Sequence, residues 1–328
     1  MTQFINLSHN DMDGAGSNIV LREKFPDMDS FHVGYNDIKE TLQLISDDIS
    51  YFTKVLFVTD LAFDVGDFNE LMRIAESNPD LKIVYIDHHP YEEEAQEAFD
   101  ELSSMVNVYT KHVIGKSATM LCYEFIKSDD EDLGKLVTWI DAYDIYKELS
   151  DPVNFKIGNF LNTIFWSIKM SGFKTNLINN DYKIPKFFKT LYKETIEDKN
   201  QYFEKLIKNG LVVFDDENSI LLSFCDRHKS FWQMDYPEYE FYVLPYQSKS
   251  NNISVRIDNG LDDEWATIIK NAVINYAEKS PWLISAGGHH HAFGITLDKN
   301  MPKEDHLTFV SGIIDVLEGY NASARIPY

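Results

Sequence analysis

Residues 4–16, FINLSHNDMDGAG, join a short apolar run to a polar turn and two glycines. The run at residues 4–7 predicts a β-strand, and the glycines precede a segment with helical periodicity. His9, Asp11 and Asp13 alternate along the turn, so an extended backbone would point all three side chains to one side. One imidazole and two carboxylates form a ligand set suited to manganese or magnesium. The alternative is a polar turn in which Asp13 caps the helix.

Two further apolar strands are followed by residues of the same kinds. Residues 54–58 and 82–86 are rich in Val, Ile and Phe and lead into the sequences VTDLAF and IDHHP. The residues that follow them are Asp60 in the first case and Asp87, His88 and His89 in the second. Because ligands bind outside the carboxyl ends of parallel strands, we expect these side chains to converge on one cleft. A turn or a helix cap is the alternative explanation for Asp60.

The order of the predicted elements indicates the fold class. In the first half, apolar strands alternate with helical segments, which predicts an α/β domain with a parallel sheet and helices on both faces. Pro152, Gly158 and the polar residues 174–183 suggest that this domain, residues 1–185, ends in that region. Residues 186–328 are predicted to form a linker helix and a smaller mixed α/β domain. Its predicted strands are 211–214, 220–224, 240–246, 253–257 and 293–297, with a helix at 264–278.

A further pair of carboxylates lies on a predicted helix. Residues 133–146 carry helical periodicity and contain the sequence IDAYDIY, which places Asp141 and Asp144 three positions apart on one helical face. Apolar neighbours surround both residues, which weakens the interpretation of a solvated acidic face.

Charge limits the partners of this chain. Acidic residues outnumber basic ones by 53 to 30, and the formal net charge is −23. A groove that follows a long nucleic acid needs a basic stripe, whereas a short phosphate compound can bind where cations supply the positive charge. The N-terminal sequence has no leader-like pattern, and no apolar stretch approaches the ~18 residues of a membrane span. We therefore expect a cytoplasmic protein with no long duplex or membrane partner.

Together, the motifs SHNDMDG, VTDLAF, DHH and IDAYDIY resemble those of the DHH phosphoesterases, and GGHHHAFG resembles the substrate-binding motif of their DHHA1 domain. The bacterial nano-RNases, which degrade very short oligonucleotides, are the most similar type, and the RecJ-like exonucleases are less similar. The resemblance implies a DHH domain and a DHHA1 domain with the active site in the cleft between them. It also implies two divalent cations, manganese by preference and magnesium as the alternative.

The resemblance assigns roles to the residues of the first domain. The implied metal ligands are His9 and Asp11 for one cation, Asp13, His88 and Asp144 for the other, and Asp60 as the bridge between them. Asp141 is the alternative to Asp144, which is preferred because AYDIY resembles the form found in nano-RNases. Asp87 would orient a histidine, and His89 would contact the scissile phosphate or protonate the leaving oxygen.

Substrate contacts are expected mainly from the second domain. Gly287 and Gly288 would allow the backbone to approach a phosphate closely. The resemblance implies that His289 and Arg256 bind substrate, although an alanine stands where the family often has a third glycine, and Arg256 would serve equally well in a surface ion pair. Ser117 opens a helix in the first domain, where it would cap the helix or contact a phosphate.

These expectations favour a two-metal phosphodiesterase that hydrolyses short single-stranded oligonucleotides or linear dinucleotides to mononucleotides. A RecJ-like exonuclease acting on single-stranded DNA is the main alternative, and the acidic charge disfavours it. A type II pyrophosphatase would share the first-domain motifs but lacks the GGH motif. A non-catalytic nucleotide-binding module would be expected to lack ligands that are present here. The sequence leaves a homodimer open.

Overall fold

The computed structural model describes residues 3–49, 53–209, 211–215, 218–222, 241–245, 251–257, 261–289 and 291–321. The chain divides into two compact units, residues 1–195 and 196–328. The division lies inside a long helix, α8 (Lys186–Asn209), ten residues after the boundary expected from the sequence. This helix begins at residue 186, where the linker helix was expected.

A five-stranded parallel sheet forms the centre of the first unit. Its strands are β1 (Phe4–His9), β2 (Asp29–Val33), β3 (Val55–Thr59), β4 (Lys82–Asp87) and β5 (Val108–His112), in the order β2-β1-β3-β4-β5. All four pairings are parallel, which confirms the predicted sheet. The edge strand β5 was not predicted, because its sequence VYTKH lacks an apolar run.

Helices cover both faces of this sheet, as expected. They are α1 (Met12–Lys24), α2 (Ile38–Asp48), α3 (Val65–Ser77), α4 (Glu93–Ser103), α5 (Ala118–Ile126), α6 (Glu131–Asp144) and α7 (Pro152–Ile178), together with α8. Alternate residues of β4 pack into two hydrophobic cores, one on each face of the sheet. Ile83 and Tyr85 pack in the core beneath α2, α3 and α4, whereas Val84 and Ile86 pack in the core beneath α1, α5, α6 and α7.

Helix α7 corrects the interpretation of Pro152 and Gly158 as the end of the sheet domain. Pro152 occupies the first position of α7, where its missing N–H costs no hydrogen bond. Gly158 lies inside the helix, and a Cβ atom there would lie 2.1 Å from the carbonyl oxygen of Trp139 on α6. The glycine therefore permits close packing of two helices and does not end one.

A six-stranded mixed sheet forms the second unit. Its strands are β6 (Leu211–Asp215), β7 (Asn218–Leu222), β8 (Phe241–Pro245), β9 (Asn251–Ile257), β10 (Leu283–His289) and β11 (Ala292–Leu297), in the order β10-β11-β9-β8-β7-β6. Only the β7–β8 pairing of this sheet is parallel. Helices α9 (Asp263–Ala277) and α10 (Lys303–Asn321) pack on its core. Within the described ranges, no helix combines the length and the apolar composition that crossing a membrane requires.

Candidate metal centre

The first cluster lies where β1 passes into α1. His9 ends β1, and its Nδ1 atom lies 2.8 Å from Oδ2 of Asp11. Asp11 is the cap of α1, because its Oδ1 accepts a hydrogen bond of 2.9 Å from the amide of Gly14. Glycine is required at position 14, since a Cβ atom there would lie 2.1 Å from the carbonyl oxygen of His9. The cap is therefore Asp11 and not Asp13, the residue that the capping alternative had named.

Asp13 is held by a different helix. Its two carboxylate oxygens accept hydrogen bonds from the amides of Ala118 at 2.7 Å and Thr119 at 2.9 Å, at the N-terminus of α5. The positive end of the helix dipole favours a carboxylate at this position. Ser117 caps the same helix, because its buried hydroxyl accepts a hydrogen bond from the amide of Met120. The capping role of Ser117 is confirmed, while its contact with a phosphate stays a prediction.

His88 lies among three carboxylates that come from separate elements. Its Nε2 atom is 3.4 Å from Oδ1 of Asp60, 3.5 Å from Oδ2 of Asp144 and 3.7 Å from Oδ2 of Asp13. We call these three the inner carboxylates: Asp13, Asp60 and Asp144. They converge because β3 and β4 end at the same edge of the sheet, where α1 begins and α6 ends.

Asp60 has an unusual backbone and an unsatisfied side chain. Its φ angle is +57°, a left-handed conformation that is uncommon outside glycine, and its amide donates to the carbonyl oxygen of Ile86 at 3.0 Å. Its Oδ2 atom is buried and accepts no hydrogen bond from the described residues. Burial and then the charge of Asp11 raise the pKa of Asp60 well above its usual value. Strain and an unpaired buried oxygen at one residue are typical of a functional site.

The structure separates the two carboxylates of α6. Asp144 faces His88, its buried Oδ2 atom accepts no hydrogen bond within the described part of the chain, and burial followed by the charge of Asp13 raises its pKa. Asp141 lies outside the cluster. Its Oδ1 accepts a hydrogen bond of 2.8 Å from the amide of Ser117, and its Oδ2 accepts one of 2.7 Å from Nζ of Lys147. These positions favour Asp144 over Asp141 as a ligand.

Asp87 and His89 form a hydrogen-bonded pair beside the cluster. Oδ1 of Asp87 lies 2.8 Å from Nδ1 of His89, and Oδ2 accepts a hydrogen bond of 2.7 Å from the hydroxyl of Tyr91. Burial is the largest single effect on Asp87 and would raise its pKa, but the hydrogen bonds and charges of His89, Tyr91 and His88 together lower it. Burial is likewise the largest effect on His89 and would lower its pKa, but the hydrogen bond and charge of Asp87, with the charges of Asp13 and Asp11, together raise it. We call Asp87 and Asp141 the outer carboxylates.

Sequence reasoning missed the tyrosines that border this site. Tyr91 follows His89 by two positions, and Tyr35 follows the end of β2 by two positions. The Tyr35 hydroxyl lies 3.3 Å from Nε2 of His89. The available signal was an aromatic residue just beyond a strand end, which is too common a feature to single out either residue.

The donor atoms fit divalent cations. Three groups bring one ligand atom per residue to within 4.8 Å of one another: His9 with Asp11 and Asp60, Asp13 with His88 and Asp144, and Asp60 with His88 and His89. Oxygen and imidazole donors of this kind suit manganese and magnesium. Two buried oxygens, one of Asp60 and one of Asp144, accept no hydrogen bond from the described residues, and a bound cation would supply a partner for each. The residues present therefore fit the predicted pair of cations.

The predicted substrate residues of the second unit lie on adjacent strands. Ala292 on β11 pairs with Arg256 on β9 and with His289 on β10. Gly287 pairs with Gly294 across the β10–β11 hairpin. Gly288 has a φ angle of +131°, which favours glycine, and its carbonyl oxygen accepts a hydrogen bond of 3.0 Å from Nζ of Lys270. The side chain of His289 lies outside the described part of the structure.

Comparisons with known proteins identify the fold. No protein-family model and no curated protein matches this chain. The solved DHH domain of a protein described as a member of a family of ribosomal proteins is 16% identical, aligns over 95% of this chain and 86% of its own, and has a TM-score of 0.61. The chain therefore has the fold of a DHH-domain protein.

Two other solved structures align along most of the chain. One, described as the pGpG-specific phosphodiesterase PggH from Vibrio cholerae, is 14% identical over 95% of this chain and 99% of its own, with a TM-score of 0.48. The other, an uncharacterized protein from Helicobacter pylori, is 16% identical over 97% of this chain and 100% of its own, with a TM-score of 0.46.

Proposed function

We propose that this protein is a two-metal phosphodiesterase that hydrolyses short single-stranded oligonucleotides or linear dinucleotides. One observation carries the proposal. Two groups of potential ligands, His9–Asp11–Asp60 and Asp13–His88–Asp144, lie side by side, and Asp60 of the first group is 3.4 Å from His88 of the second. The motifs that resemble those of nano-RNases support the same class of reaction.

The side chains of the first unit are proposed to ligate two separate cations. His9 and Asp11 would hold one cation, and Asp13, His88 and Asp144 would hold the other. Asp60, which lies near His9 and Asp11 and 3.4 Å from His88, would contribute to both sites. When bound, two divalent cations supply the positive charge that attracts a phosphodiester and activate a water for in-line attack. Manganese suits this mixed imidazole and carboxylate set, and magnesium is the alternative.

His89 is proposed to protonate the leaving oxygen. Its Nδ1 atom lies 2.8 Å from Asp87, so Nε2 is the atom that remains for the substrate. The raised pKa of His89 keeps the imidazole protonated to a higher pH, as a general acid requires. Asp87 orients the ring and stabilises its positive charge, and Tyr91 in turn holds the other oxygen of Asp87.

The charge of the chain supports a short substrate. A formal net charge of −23 repels a long polyanion, and this repulsion grows with each phosphate of the strand that extends beyond the metal centre. We propose that Arg256 and His289 bind a substrate phosphate in the second unit, because a guanidinium forms paired hydrogen bonds with phosphate oxygens.

The test is the dependence of rate on substrate length. Purified protein with manganese is incubated with end-labelled RNA and DNA as a dinucleotide, a pentanucleotide and a strand of about 25 nucleotides, at fixed ionic strength. We expect the rate per end to fall as the strand lengthens. Asp60→Asn protein prepared in the same way is the control for contaminating nucleases. Faster cleavage of the longest strand would overturn the short-substrate proposal in favour of a RecJ-like exonuclease, and no cleavage of any strand would overturn the nuclease assignment.

A further inference from the structure

Tyr35 joins the two halves of the candidate site. It begins a short 3-10 helix, Tyr35–Asp37, immediately after β2. Its ring is stacked on the imidazole of His9, with centroids 4.6 Å apart and an interplanar angle of 29°. Its hydroxyl lies 3.3 Å from Nε2 of His89. One side chain therefore touches a proposed metal ligand on β1 and the proposed proton donor beyond β4.

The exposure of Tyr35 argues against a purely structural role. The residue is 49% exposed, whereas Tyr85, the largest buried side chain of the neighbouring core, is fully enclosed. Tyr35 therefore contributes little buried apolar area to the fold. Its ring and hydroxyl contacts are with His9 and His89, two functional candidates.

The hydroxyl contact concerns the orientation of His89. Nδ1 of His89 is engaged by Asp87, and in the protonated ring that a general acid requires, Nε2 is a donor for which the Tyr35 hydroxyl oxygen is the acceptor within reach. This second contact holds the ring from the side opposite Asp87. At 3.3 Å the hydrogen bond is long, so a substrate oxygen can replace it without a large loss.

The ring contact concerns His9. Nδ1 of His9 is paired with Asp11, which restrains one edge of the imidazole. Stacking against Tyr35 restrains the plane of the same ring. A ligand whose plane and edge are both fixed loses less conformational freedom when it binds a cation.

We propose that Tyr35 is a positioning residue with two separable roles: its ring orients His9 for metal binding, and its hydroxyl orients His89 for proton transfer. The second role rests on the proposed function, whereas the first is tested without any activity. Tyr35→Phe removes the hydroxyl and keeps the ring, and Tyr35→Leu removes both. Tyr109→Phe is the matched control, because Tyr109 is 50% exposed and packs against Phe125, outside the site.

Two measurements separate the roles. Calorimetric titration of the metal-free variants with manganese should give wild-type affinity for Tyr35→Phe and Tyr109→Phe, and an affinity about tenfold weaker for Tyr35→Leu. Kinetics on a dinucleotide with saturating manganese should show kcat about tenfold lower for Tyr35→Phe with KM nearly unchanged. Tyr35→Met replaces the Leu variant if that variant does not fold.

Each role has an outcome that overturns it. Equal manganese affinity for Tyr35→Leu and Tyr35→Phe would show that the ring does not orient His9 for metal binding. Wild-type kcat for Tyr35→Phe would show that the hydroxyl does not orient His89 for proton transfer. A wild-type protein that binds manganese but cleaves no oligonucleotide would overturn the proposed function and the hydroxyl role with it, while the titrations would still decide the role of the ring.

Discussion

The inner and the outer carboxylates occupy the same edge of one sheet, yet their surroundings differ. Each oxygen of Asp87 and Asp141 is engaged by a side chain or an amide at 2.7–2.8 Å. By contrast, one oxygen of Asp60 and one of Asp144 are buried and accept no hydrogen bond from the described residues. All four side chains are at least largely buried, so burial does not distinguish the two sets.

The difference shows which carboxylates are available to a cation. A buried oxygen that accepts no hydrogen bond gains a partner on binding a cation, which favours Asp60 and Asp144 as ligands. The pKa values follow the same division. Burial and like charges raise the pKa of Asp60 and Asp144, while the partnership with His89 lowers that of Asp87. We infer that Asp60 and Asp144 bind metal and that the outer set supports the residues around them. Asp13 differs from these two, because both of its oxygens accept hydrogen bonds from amides of α5, and it is proposed as a ligand from its position beside His88.

The largest effect is expected from Asp60→Asn. The substitution keeps the shape of the side chain and removes the charge that is proposed to reach both cations, so activity should fall by more than about 10³-fold. Calorimetry should show that manganese binding is weakened at both sites. Asp80→Asn, on the exposed surface, is the control and should behave as wild type. Wild-type activity in Asp60→Asn would exclude a mechanism with two metals bridged at this residue.

Substitutions of the two adjacent histidines should affect different properties, namely metal binding and reaction rate. His88 contacts the inner carboxylates, so His88→Ala should lower manganese occupancy. His89 is bonded to an outer carboxylate, so His89→Ala should retain both cations and lose roughly 10²- to 10³-fold in kcat. Metal analysis of the two purified variants after dialysis decides the matter. Equal metal loss in both would mean that the two histidines share one role.

Stability in the absence of metal should distinguish the two carboxylates of α6. Asp144→Asn relieves repulsion among buried like charges and should stabilise the metal-free protein by about 1 kcal/mol. Asp141→Asn breaks the ion pair with Lys147 and should destabilise the metal-free protein by about 2 kcal/mol. This is less than the loss expected for a fully buried pair, because the side chain of Lys147 is 36% exposed. Urea unfolding in the presence of EDTA measures both. If both variants were destabilised equally, the distinction between inner and outer carboxylates would be wrong.

The smallest effect is a dependence on pH. The folded-state pKa of Asp60 is raised, so above its unfolded value near 3.8 the unfolded chain releases the proton first and stability falls as pH rises. The stability of metal-free Asp60→Asn relative to wild type should therefore increase as the pH rises above 3.8. Manganese should abolish this trend by stabilising the ionised carboxylate. A relative stability that is constant with pH would show that Asp60 ionises normally in the folded protein.

The local sequence was sufficient to predict elements with a clear apolar period. Residues 82–86 predicted β4 to within one residue of its observed end, and the linker helix expected from residue 186 coincides with the start of α8. Strands without such a period were missed. The edge strand β5 carries polar residues, and β10 contains two glycines, so neither has the composition of a buried strand. Gly287 and Gly288 of β10 pair with Gly294 and Phe293 of β11.

By itself, the sequence determined which chemical groups end the strands of the first unit, because a strand carries its following residues to one edge of a parallel sheet. His9, Asp60 and His88 could therefore be predicted to meet. Only the tertiary structure decided which carboxylates already have partners. Asp13 accepts a hydrogen bond from the amide of Ala118, which is 105 positions away in the sequence. Asp141 accepts one from the amide of Ser117. Hydrogen bonds between such distant segments depend on how helices pack, and no local pattern of residues encodes that packing.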